Sequence, residues 1–145
     1  MFRVASALCA AVMLTACGSK SPPTAPDATP AAPNATLPAG PGASGRFVRT
    51  GYAVTGTATL AVENGVGRLT FSSDFSIGQT PGPFVYLNTT NNPNSGQPLR
   101  VAGLKNKSGA QEYVFSVPAG VKYGYVLIWC DPFNVAMAEA KIPTT

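Results

Sequence analysis

The chain contains no histidine at all. That removes every Ser-His-Asp or Cys-His nucleophilic pair and any histidine ligation of zinc, copper or haem. Charge is scarce as well, at 11% of residues with a formal net charge of +4. A nucleic-acid partner would need a basic stripe interleaved with aromatics. Here Arg46, Arg49, Arg68, Arg100, Lys105, Lys107, Lys122 and Lys141 alternate with apolar positions or fall in loops, which reads as solvated surface and excludes nucleic acid. Beyond residue 44 the only carboxylates are Glu63, Asp74, Glu112, Asp131 and Glu139, and no spacing among them points to a glycosidase pair. Gly65-Val66-Gly67-Arg68 has no third glycine in register and sits in a hairpin, so it is not a nucleotide loop. No long helical periodicity is present.

What is there begins with a targeting segment. Met1-Phe2-Arg3 supplies a positive start, and Val4 to Leu14 is an apolar run too short to span a bilayer as a helix. Leu14-Thr15-Ala16-Cys17 then resembles the bacterial lipobox. The resemblance implies removal of residues 1–16 as a signal peptide and attachment of a diacylglyceryl group and an N-acyl chain such as palmitate to Cys17. Membrane lipid is thus an expected partner, since two or three acyl chains make an anchor effectively permanent. Gly18 stands where an Asp would signal inner-membrane retention, which favours the outer membrane in a Gram-negative envelope. Cys9 leaves with the signal and Cys17 becomes a thioether, so Cys130 is the one remaining thiol and no internal disulfide can form.

Residues 17–44 carry the lipidated Cys and then a tether in which seven of the chain's fourteen prolines lie. Leu37 is its only large apolar residue, so the sequence predicts a disordered spacer. Its reach is about 30 Å as a flexible coil and about 80 Å extended. From residue 45 to 145 the pattern turns to short alternating runs punctuated by turn residues. Arg46–Arg49, Thr55–Glu63, Gly67–Ser72, Phe84–Leu87, Leu99–Leu104, Glu112–Val117, Tyr123–Cys130 and Phe133–Ile142 read as strands. Asn64-Gly65 supplies a tight hairpin turn, and the polar Asn88–Pro98 stretch reads as a mobile loop. The prediction is an all-β domain, an antiparallel β-sandwich or jelly-roll-like barrel.

The most apolar strand runs from Tyr123 through Trp129 to Cys130. Alternation puts Val126, Ile128 and Cys130 on one face and Tyr125, Leu127 and Trp129 on the other. A free Cys in such a place packs most often as a small hydrophobe. Pro132 ends ladder pairing, however, which places Cys130 near a rim where solvent or a ligand could reach it.

Gly82-Pro83-Phe84-Val85-Tyr86-Leu87, Val101-Ala102-Gly103-Leu104-Lys105, Gly109-Ala110-Gln111-Glu112-Tyr113-Val114 and above all Tyr125-Val126-Leu127-Ile128-Trp129-Cys130-Asp131-Pro132-Phe133-Asn134-Val135 resemble the DM13 domain family. The resemblance spans Gly45 to Ile142. It implies a β-sandwich with a role in electron transfer or redox modification at the cell surface. Its characteristic Cys, here Cys130, would act as a naked thiol or as a ligand to a prosthetic group such as haem, with Met137 the only further axial ligand in view. A periplasmic or cell-surface redox protein is the implied partner. Two places depart from the bacterial pattern: Tyr52 stands where a His is common, and Phe84 where an Asp is common. The competing reading is a non-catalytic binding module with a core cysteine. In it Tyr52, Tyr86, Tyr123, Tyr125 and Trp129 offer aromatic surface, with Trp129 and Tyr52 as the ligand-binding candidates.

Overall fold

The computed structural model describes residues 21–144. Residues 1–16 and Cys17, and with them the expected signal peptide and lipidation site, lie outside the described residues. Ten strands follow in order: β1 (Ala43–Arg49), β2 (Val54–Thr55), β3 (Thr57–Glu63), β4 (Val66–Phe71), β5 (Ser76–Ile77), β6 (Pro83–Asn88), β7 (Leu99–Gly103), β8 (Gln111–Ser116), β9 (Tyr125–Cys130) and β10 (Val135–Lys141). Among the described residues the only helical element is one 3₁₀ turn, Asp131–Phe133. The all-β expectation holds.

Eight strands form one antiparallel sheet in the order β7-β6-β9-β10-β1-β3-β4-β8, nearly closed into a barrel-like sandwich. The fold turns on β1. Its second half pairs β10 (Phe47 opposite Ala140) and its first half pairs β3 (Ala43 opposite Leu60), so one strand belongs to both layers. Asn64 and Gly65 take the positive φ angles, 49° and 76°, of the predicted β3–β4 hairpin. Inward-facing residues of both layers meet in one core that includes Phe47, Leu69, Phe71, Phe75, Val126, Ile128 and Met137. Phe71 packs edge-on to Phe47 at 4.9 Å and lies 4.8 Å from Phe75. Such pairs each add about 0.5–1.5 kcal/mol beyond the area they bury.

Two stretches differ from expectation. The loop between β6 and β7 is stitched rather than free: Asn88, fully buried, donates through Nδ2 to Thr90 Oγ1, Asn92 O and Ser95 O. One side-chain amide thereby satisfies the carbonyls that would otherwise face solvent.

The Pro-rich segment is the other. Residues 26–30 lie between the edge strands β7 and β8, with Asp27 bridged to Arg100 and Pro30 to Phe115. Ala28 N donates to Arg100 O at 2.8 Å, Arg100 N to Pro26 O at 2.9 Å, and Ser116 N to Thr29 O at 2.8 Å. Upstream, Ala25 covers Tyr86, Leu127 and Trp129 on the outer face of the sheet. A proline-rich backbone is already extended, so docking it costs little further entropy. Its carbonyls and the one Ala28 N–H meet edges that would otherwise be unpaired.

Candidate functional site

Cys130 is the last residue of β9, opposite Pro83 of β6 and Val135 of β10. The predicted alternation is correct: Val126, Ile128 and Cys130 face the main core, while Leu127 and Trp129 join Tyr86 in a separate outer cluster. Position at the strand end does not bring exposure. Cys130 is only 1% exposed, and its Sγ donates to Pro81 O at 3.0 Å. The carbonyl belongs to the segment entering β6. Among the described residues, Thr80 Oγ1 beside it is the one buried side-chain polar atom without a hydrogen-bond partner.

Asp131 turns the other way. The 3₁₀ turn aims its carboxylate back over the outer face, where Tyr86 Oη donates to Oδ1 at 2.6 Å and Arg100 Nε to Oδ2 at 2.8 Å. Arg100 NH1 reaches Asp27 Oδ1 at 2.9 Å, and its guanidinium stacks 3.5 Å from the Phe84 ring centroid. The side chains of Arg100 and Asp131 are 28% and 11% exposed, so Arg100 is not the solvated surface charge its sequence context predicts. Phe84, where an Asp is common in the family pattern, gives the cation an aromatic face instead. The network draws on three distant stretches, and nothing local in the sequence around Arg100 signals it.

Burial, then the bond to Asp131, raises the Tyr86 pKa; burial raises those of Tyr113 and Tyr123. The unfolded chain ionises these phenols near pH 10, so it binds fewer protons than the native state above that pH. The three phenols therefore support the fold below about pH 10, and that contribution is lost as pH rises through the raised native values. Absorbance at 295 nm should show part of the titration of the five tyrosines delayed until the fold is lost. Tyr86→Phe should remove part of the alkaline loss of stability. A complete, reversible titration near pH 10 in native protein would refute the assignment.

The two ligand-binding candidates, Trp129 and Tyr52, are not brought together. Trp129 is 7% exposed with Nε1 donating to Asn134 Oδ1 at 3.0 Å, on the outer cluster. Tyr52 is half-buried against the main core on the other side of the sheet. Buried Tyr86 and half-buried Tyr125 share the outer cluster with Trp129, while buried Tyr123 joins Tyr52 at the main core, so the five are split between the two sides of the sheet.

Haem does not fit Cys130 as packed. A flat macrocycle needs an open face at the sulfur, and Sγ is enclosed and already bonded to Pro81 O. Met137 is fully buried in the same core. An open cavity of about 440 Å³ beside the strand end is lined by Pro22, Pro23, Phe84, Arg100, Asp131 and Pro132, not by Cys130.

No curated protein and no solved structure matches the chain. The family model described as electron transfer DM13 matches residues 46–142, from within β1 to just past β10. It takes in Cys130, Asp131, Arg100 and Tyr86 and leaves out the segment that closes the barrel. With two-thirds of its length matched by that model, the chain belongs to the electron transfer DM13 family.

Proposed function

We propose that the protein is a lipid-anchored envelope module that takes part in electron transfer through the Cys130 thiol. The lipobox-like Leu14–Cys17 supports the anchor, which would hold the domain at the outer membrane of a Gram-negative cell, with a periplasmic or cell-surface redox protein as partner. The observation that carries the thiol reading is what closes over it. Backbone bonds hold Ile77 and Gly78 on one side and Leu104 against Pro83 on the other. Between them Gln79 Oε1 accepts an exposed bond from Lys107 Nζ, Thr80 Oγ1 is unpartnered and Pro81 is held by the thiol itself. A buried hydroxyl without a partner costs about 1–3 kcal/mol, which opening to water returns. Residues 79–82 are therefore the inexpensive part of the fold to lift.

Once they lift, the Cys130 thiol gives its proton to solvent and its sulfur attacks one sulfur of a disulfide on the partner. The mixed disulfide forms as the partner's other sulfur leaves as thiolate, so Cys130 is oxidised and the partner reduced. A thiol on a second protein then attacks the partner's sulfur in that bond; Cys130 leaves as thiolate and takes back a proton, and the attacking thiol ends in a disulfide with the partner.

Native-state labelling with a maleimide tests this. Labelling should be far slower than in denatured protein yet faster than global unfolding, and weakly dependent on urea, as for a local opening. A labelling rate that tracks global unfolding in both size and urea dependence would make Cys130 an inert core residue. That is the outcome its 1% exposure favours if residues 79–82 stay closed, and it would leave the non-catalytic binding module as the reading.

A further inference from the structure

We infer that residues 22–30 are a strap that holds the domain down on the bilayer, and that the rim formed by Pro22, Pro132 and Phe133 faces the phospholipid surface. The inference rests on the reading of Cys17 as the lipidated residue. A Pro-rich tether the length of residues 17–44 would ordinarily let a domain wander up to about 80 Å from its anchor. Here the chain is committed to the fold long before β1. Asp27 is ion-paired to Arg100, the backbone of residues 26–29 is bonded to β7 and β8, and Pro23 is buried against the outer face. Pro22 and Pro23 line the open cavity with Phe84, Arg100, Asp131 and Pro132. Only five peptide steps separate Cys17 from Pro22, which even fully extended span about 18 Å. Cys17 and the Pro22 end of the rim cannot be further apart than that.

The rim is suited to the place. Phe133, next to Pro132, is 59% exposed and is the most exposed large hydrophobic residue among those described. An aromatic side chain at the end of a β-domain, close to an anchor, can enter the headgroup region while the backbone stays in water. The strap lies outside residues 46–142, the stretch that the DM13 family model matches.

The test uses the full lipidated chain in zwitterionic phosphatidylcholine vesicles carrying dansyl-headgroup lipid. Trp129 is the only tryptophan and its indole is bonded to Asn134, beside Phe133, so energy transfer from it to dansyl reports the height of the rim. Transfer should be strong in the wild type. The D27R/A28P variant reverses the charge facing Arg100 and removes the N–H that bonds Arg100 O, freeing the strap. Transfer should then fall about threefold or more, because a freed coil averages ~30 Å. Asp27→Asn, at a side chain 73% exposed, should give a smaller fall with unaltered circular dichroism, so the result does not depend on the double variant folding. Intact mass separates the two ways of failing. A mass without acyl groups on Cys17 overturns the anchoring reading and this proposal together. An acylated chain whose transfer is weak and the same in all three proteins overturns the strap-held rim alone.

Discussion

Replacing Arg100 with alanine is expected to lower the unfolding free energy by about 3–5 kcal/mol, a large share of the stability of an ordinary domain. The loss comes from what is left behind. Asp131, its side chain 11% exposed, would keep a negative charge with only the Tyr86 phenol to answer it. Its cost is the desolvation that Arg100 now offsets. The outer arm of the same network should behave differently. Asp27 is 73% exposed, so Asp27→Ala should cost under about 1 kcal/mol. A triple variant, Arg100→Met with Asp131→Leu and Tyr86→Phe, should recover most of the loss, because it removes the charges and the phenol that needs them together. Urea denaturation, with the midpoint moving at constant slope, reads all three. If Arg100→Ala and Asp27→Ala cost the same, the network is a surface ornament and the buried-pair account is wrong.

Nothing local in the sequence encodes that network. The strands were legible because alternation and turn residues are local: Asn64-Gly65 specified its hairpin, and the two faces of β9 followed from period two. Arg100 was read as solvated for the same reason, since a lone cation in a strand of alternating type normally faces water. Its side chain is only 28% exposed with residues 22–28 lying alongside it, and no property of Leu99–Gly103 records that. The Pro-rich segment is the complementary case. Its composition says correctly that it cannot build a core of its own, yet what places it is the pair of open edges on β7 and β8. Cys130 is a third case. Its place at the end of β9 was evident, but its burial depends on Pro81, whose carbonyl arrives from a different strand connection. The thiol is visible in the sequence, whereas the segment that covers it is visible only in the packing.

Gly45→Ala is expected to be the most damaging glycine-to-alanine change among the described residues, at about 3 kcal/mol or more. Gly45 lies where β1 passes from its pairing with β3 to its pairing with β10. A Cβ there would fall 2.0 Å from Lys141 O and 2.8 Å from the carbonyl carbon, and both are backbone atoms that cannot swing aside. Relief requires β1 to lift from β10, which pulls on the Phe47–Ala140 register and, through β10, on β9 and Cys130. Gly65→Ala is the matched control. Gly65 has a φ of 76° but nothing within 4 Å of an added Cβ, so it should lose only the left-handed backbone preference, about 1–2 kcal/mol. The two substitutions add the same atom, so their difference isolates close approach from conformational preference. Urea midpoints should rank Gly45→Ala well below Gly65→Ala, with maleimide labelling of Cys130 accelerated only in the former. Equal midpoints would mean that β1 can shift without loss, and that the two layers are not held together through this crossing.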